Sequence, residues 1–235
     1  MAKFISPRIV TDGLVLCLDA ANRQSYPGTG NAWNDLSGYN NHFTLVNSPN
    51  FINEYNGAIS MYNGAYVNCT NNSLGNFQTN SFSINLMCNI FNIEASFGGY
   101  LTKRPTTTSI GSFNGFSFRY STGFYYDIAP SSINSATSIH VLSSVSFYSF
   151  VANRSNNGTN NTLIQYRNGQ QVSSVTNNSF SSGNLNNSEN LVIGNASGRP
   201  LDTNSNLYSV TIYNRALDQN EVLQNYNALK GRFGL

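Results

Sequence analysis

Charge is what this chain has least of. Only 9% of its 235 residues are Asp, Glu, Lys or Arg, against roughly 25% in an average soluble protein. The net charge is +2 and the twelve bases are scattered. That balance excludes the basic footprint of a nucleic-acid binder and a polybasic patch for anionic lipid. Acids are too sparse for glycosidase chemistry, which needs two carboxylates ~5 Å apart in a retaining enzyme. Asp218 and Glu221 are the only two acids within four positions of each other, and they have the spacing of a helix cap. Histidine is limited to His42 and His140, and no nucleophile motif surrounds any serine. Catalysis is therefore not expected. No run approaches the ~18–20 apolar residues needed to span a bilayer. Residues 1–10 lack the apolar centre of a signal peptide, so cytoplasmic synthesis without export is expected. Cys17, Cys69 and Cys88 are odd in number and lack metal-ligand spacing. They are expected to be buried thiols.

Asparagine takes the place of charge, at roughly one position in six. Its codons favour an A/T-rich genome, and its side chain closes tight turns and tolerates positive φ. Short apolar or alternating runs separated by Asn, Gly and Ser point to many antiparallel strands. Strands are expected at residues 13–19, 58–62, 65–69, 82–90, 115–120, 123–128, 139–151, 162–167, 170–175, 190–194 and 207–213. Asn63-Gly64 and Asn168-Gly169 are expected hairpin turns, because both residues of each pair accept positive φ. The longest irregular stretches are 20–49, 96–112 and 153–161. One helix is expected near the C-terminus. Asp218 is its N-cap and Glu221 completes a capping box. Val222, Leu223, Tyr226 and Leu229 share one face, and Gly231 is the expected stop.

Two segments at opposite ends belong together: DGLVLCLDAANRQSYPGTGNAWNDLSG at residues 12–38 and LYSVTIYNRALDQNEVLQNY at 207–226. With the Trp33…Asp35-Leu-Ser-Gly38…Asn41 loop, they resemble the bracketing segments of laminin-G-like domains. These belong to the concanavalin A-like lectin/glucanase superfamily, in the form common among bacteriophage virion proteins. The resemblance implies an all-β antiparallel sandwich, a concanavalin A-like jelly roll with one short C-terminal helix. It covers residues 12–235, preceded by an N-terminal arm at 1–11. It also implies a virion protein with no enzymatic role, most simply a capsid decoration protein contacting the major capsid protein. The alternative is a carbohydrate-binding adhesin on a tail or head fibre that holds host-surface glycans. Exposed strand edges make self-association plausible. Neither nucleic acid nor a membrane is an expected partner.

Four groups of candidate residues follow. Asp35 and Ser37 can accept from backbone N–H groups two residues on, and Gly38 permits the turn. Trp33 is expected to plug one end of the sandwich, and Arg215 to bind a carbonyl or carboxylate structurally, beside Asp218 and Glu221. The resemblance makes calcium the one candidate ion, with Asp35, Asn40, Asn41 and Asp202 as loop ligands offering hard oxygens. Since no two of these acids cluster, loop-stabilising hydrogen bonds are the expected role, and no cofactor is expected. The densest aromatic block runs from Phe116 to Tyr126. Phe116, Tyr120, Tyr125 and Tyr126 with Arg119 are the candidate glycan platform, and core or cross-strand packing is the competing role.

Overall fold

The computed structural model describes residues 8–93, 98–105, 114–120, 124–128, 131–137, 143–154, 161–176, 184–194 and 203–235. Backbone alone is described at 92–93, 98–99, 119–120, 124–127, 131–137 and 203. Two eight-stranded antiparallel sheets face each other. The first holds β1 (Leu14–Asp19), β4 (Asn50–Ile52), β5 (Ala58–Met61), β7 (Phe82–Ile93), β12 (Ser146–Asn153), β13 (Thr162–Arg167), β14 (Gln170–Thr176) and β16 (Thr203–Tyr213). The second holds β2 (Ala32–Trp33), β3 (Phe43–Val46), β6 (Tyr66–Cys69), β8 (Gly98–Lys103), β9 (Phe116–Tyr120), β10 (Phe124–Ile128), β11 (Ser131–Thr137) and β15 (Val192–Ile193). The first is ordered β14-β13-β12-β7-β16-β5-β4, with β1 added on β16, and the second β11-β10-β9-β8-β15-β6-β3-β2.

The core lies between the sheets because alternate residues of each strand point inward. Leu16, Leu18, Ile84, Leu86, Phe150 and Ile212 of the first sheet meet Phe43, Val67, Leu101, Phe118 and Ile193 of the second. Each such side chain contributes roughly 1.5–3 kcal/mol when fully buried. A second apolar layer covers the outer face of the first sheet. There Met87, Phe147, Val151 and Tyr213 pack with Val222 and Phe233 of helix α1 (Gln219–Phe233). The two ends of the chain meet in this half. Cys17 pairs with Thr211 and Leu18 with Val210 in the β1–β16 ladder. Val10 N–H donates to Asn225 Oδ1 at 2.8 Å, and Tyr213 Oη donates to the Val10 carbonyl at 2.9 Å.

The structure corrects several expectations. The Asn63-Gly64 turn forms, with φ of 52° and 75°, but it is not a hairpin. It carries the chain from β5 in the first sheet to β6 in the second. The Asn168-Gly169 pair does close the β13–β14 hairpin. Helix α1 runs past Gly231 and stops at Gly234, whose φ of 68° is left-handed. Short strands β2, β3 and β4 lie at or beside the stretch expected to be irregular, and β8 within 96–112. Strand β12 starts at Ser146, later than expected, and residues 138–142 lie outside the described residues.

Candidate functional site

The loop between β2 and β3 is organised by one carboxylate. Asp35 Oδ1 accepts from the N–H groups of Cys17 at 2.8 Å and Ser37 at 2.9 Å. Its Oδ2 accepts from Ser37 Oγ at 2.7 Å and the Asn41 N–H at 3.0 Å. Four donors therefore fill both oxygens. Asn41, also buried, donates to the Val15 carbonyl and accepts from Asn71 Nδ2 at 2.7 Å. Asn40 takes a left-handed φ of 58° to make the bend. This donor-filled arrangement does not fit a metal ion, which needs open lone pairs. Among the described residues no three His, Cys, Asp or Glu side chains gather around a point. Asp202 lies outside the described residues.

The same loop forms one wall of a surface cleft. Tyr39 stands at its rim, 61% exposed. The cleft has a volume of about 240 Å³, below the ~300–1,000 Å³ of sites for drug-sized ligands, so it suits a single ring. Asn41, Asn71, Asn76 and Asn214 line it, with Ser73; the side chains of Asn41, Asn71 and Asn76 also bond within the protein. Val15, Leu74 and Phe77 give it apolar surface. No charged side chain among the described residues lines it. Its opposite wall, residues 71–77, is made by Asn turn chemistry: the Ser73 N–H donates to Asn71 Oδ1, and the Leu74 N–H to the Asn71 carbonyl. A ring face, the N–H groups and lone pairs these asparagine amides have left over, and no fixed charge can grip an uncharged polyhydroxy ring.

Beneath that wall lies Lys103, at the end of β8 and fully buried. Its Nζ donates to the carbonyls of Asn72 at 2.8 Å and Glu189 at 2.7 Å, with Asn187 Oδ1 at 3.3 Å. Burial pushes the amine down to about 8, so it is still mainly an ammonium at neutral pH. The surrounding oxygens favour that charged form.

Of the candidate glycan platform, only Phe116 has a described side chain. Phe116 is fully buried and packs on Phe77, Phe82 and Phe118. It belongs to the core, so it cannot join an exposed platform. Strands β9 and β10 pair, with Arg119 opposite Tyr125 and Tyr126 opposite Phe118. The side chains of Arg119, Tyr120, Tyr125 and Tyr126 lie outside the described residues. Trp33 is fully buried. Ser37 and Gly38 shape the Asp35 loop, where Gly38 takes a φ of 92°. Arg215 forms two bonds to Glu221, at 2.8 and 2.6 Å, and one to Asp12 at 2.8 Å. Glu221 and Asp218 also complete the helix capping box. Sequence reasoning passed over Tyr39, Asn71 and Lys103. The cue for Tyr39 was there: a large aromatic between Gly38 and Asn40 in a mostly polar loop.

Comparison with known proteins places this architecture. A family model described as the concanavalin A-like lectin/glucanases superfamily, of the laminin G type, matches residues 61–223. That range holds the 71–77 wall and Asn214, whereas Tyr39 precedes it. No curated protein matches. Among solved structures, a sialidase of Trypanosoma rangeli aligns with a TM-score of 0.65 at 14% identity, over 94% of this chain and 33% of that one. The binding domain of Paraclostridial Mosquitocidal Protein 1 gives a TM-score of 0.68 at 16% identity, over 93% and 52%. The binding domain of botulinum neurotoxin DC, in complex with rat synaptotagmin II, gives 0.64 at 14%, over 94% and 52%. The chain thus spans between a third and about half of these structures. At such identities the likeness is one of fold.

Proposed function

We propose that this chain, which belongs to the concanavalin A-like lectin/glucanase superfamily, is a non-catalytic binding module that holds an uncharged saccharide in the Tyr39 cleft. The observation that carries this is an exposed tyrosine ring beside a small cleft lined by four asparagines and no charge. Sugar rings present an apolar C–H face to an aromatic ring and hydroxyls to amides. Acid–base catalysis has little support. Among the described acids, Asp12 and Glu221 bond Arg215, Asp19 bonds Arg232, Asp35 is filled by N–H and O–H donors, Glu54 accepts from Asn206 and Asp218 caps α1, which leaves Glu189 without a second carboxylate to work with. The binding domains of the two toxins, similar in fold, agree with a binding role for this architecture. A glycan array tests the reading. The protein should retain neutral glycans, and Tyr39→Ala should weaken retention about tenfold, the loss of one stacking contact of ~1.4 kcal/mol. An array on which the unaltered protein retains no glycan would reject the function.

A second reading sets the same module on a phage particle. It rests on the likeness of residues 12–38 and 207–226 to virion laminin-G-like domains. One observation favours it: residues 8–10 are fastened along helix α1, where Gln224 donates to the Arg8 carbonyl and the Val10 N–H to Asn225. A preceding arm would then leave from a fixed place, ready to join a capsid protein. Decoration and glycan capture are compatible in one virion protein. Mass spectrometry of purified particles tests this, and particles lacking the chain would end it.

A further inference from the structure

A buried lysine normally needs a carboxylate or a functional reason. Among the described residues no carboxylate oxygen bonds to Lys103, and the charge of Glu189 acts on it only from beyond hydrogen-bond reach. Four neutral oxygens face its Nζ instead: the carbonyls of Asn72, Glu189 and Asn187 at 2.8, 2.7 and 3.5 Å, and Asn187 Oδ1 at 3.3 Å. The surroundings are shaped to admit the side chain. Gly75 has a φ of +84°, and a Cβ there would lie 2.5 Å from Lys103 Cδ, so the stem passes where only glycine leaves room. Asn187 also returns a bond from Nδ2 to the Lys103 carbonyl at 3.2 Å and another to the Asn114 carbonyl at 2.8 Å. The oxygens come from two loops that run side by side. One is 71–77, a wall of the cleft. The other is 185–191, laced to it by Gln78 N–H to Asn186 Oδ1 and Asn187 N–H to Asn76 Oδ1.

A ring of neutral carbonyl oxygens is the donor set that protein sites offer to potassium or ammonium, whereas calcium and magnesium sites add carboxylates. Asp35, in the loop across the cleft, is filled by donors, and Glu189 offers the cradle its backbone carbonyl. We propose that the Lys103 ammonium is the resident cation of an oxygen cradle joining the two loops behind the cleft, and that it fills the role a bound metal ion would otherwise have in bracing them. The charge neutralises the dipoles of carbonyls that would otherwise point at one another. Binding at the cleft then needs no added ion.

The proposal is tested by thermal melting of the whole chain without any sugar, so its outcome is independent of whether the cleft binds saccharides. Lys103→Met keeps the stem and removes the donors. It should melt about 5 °C lower, because buried carbonyls are left unpaired. Lys103→Ala opens the cradle. Its melting temperature should rise saturably with ammonium or potassium chloride and not with choline chloride at equal ionic strength. The unaltered protein should respond alike to all three salts and should not change on chelation with EDTA. If the alanine variant is recovered unfolded, its refolding yield in ammonium against choline reads the same effect. A methionine variant as stable as the parent would overturn the proposal. So would an alanine variant indifferent to the cation, or a parent protein destabilised by EDTA.

Discussion

Asp35 shows how much one side chain can decide. It ties β1 to the loop through Cys17 and shapes the bend through Ser37 and Asn41. Asp35→Asn would turn one acceptor into a donor facing donors. We expect a loss of about 2–4 kcal/mol in urea unfolding, since charged acceptors are costly to lose. Glu221 gives a pH-dependent counterpart. Its bonds to Arg215 hold its carboxyl below the ordinary glutamate range. A depressed folded value means stability present above ~4.5 and lost as pH falls through the folded value. Glu221→Gln should therefore be less stable at neutral pH and lose less on acidification, measured by unfolding at several pH values. The three thiols are free, and burial pushes Cys17, Cys69 and Cys88 up to about 12, 11 and 12. Native protein at pH 8 should resist iodoacetamide, while denatured protein takes up three labels by mass. Cys69 and Cys88 are buried, as their lack of pairing or metal spacing predicts, and Cys17 is only partly so. Lys103 was not legible, because three of the four oxygens facing it are backbone carbonyls that leave no mark in a sequence.

At the level of elements, helix α1 is the best determined by its own residues. Its capping box is read directly from Asp218 and Glu221. Its end is not, because Gly231 and Gly234 are equally permissive and packing decides between them. Phe233 settles it by packing against Tyr55 and Tyr208, with ring centroids 5.2 and 5.0 Å away. Arg232 fastens the same turn to the Tyr55 and Gly57 carbonyls and to Asp19. Phe233→Ala should cost about 3 kcal/mol and expose the first sheet's outer layer, read as faster amide exchange in α1. The two Asn-Gly turns carry the opposite lesson. Both adopt the backbone their residues favour, yet one closes a hairpin and the other crosses between sheets. Turn chemistry is local, whereas the sheet a strand joins depends on partners far away in sequence. For the same reason the two-residue strand β2 was hard to foresee: it exists by pairing with β3 and has no periodicity of its own, whereas β15 falls inside the strand expected at 190–194.

For the molecule as a whole, the pairing of β1 with β16 makes the fold depend on its most distant segments. That closure was legible because both segments carry specific residue patterns. The antiparallel strands were legible from alternation and turn residues, and the sandwich from the resemblance carried by the two end segments. The proposed site was not, because the densest aromatic block in the sequence lies on strands, and the one candidate there with a described side chain, Phe116, is spent on the core. The exposed aromatic that borders a cleft, Tyr39, stands alone in a loop. Non-local pairing of this kind predicts slow folding, so removal of residues 1–19 should abolish folding, as judged by loss of dispersed amide signals. The central claim, that the Tyr39 cleft is the binding site, is tested most directly by following backbone amide shifts while a neutral glycan retained on the array is titrated in. The account predicts saturable shifts gathered at Tyr39, Asn41 and residues 71–77, absent in Tyr39→Ala. Saturable shifts centred elsewhere, with these amides unmoved, would contradict it.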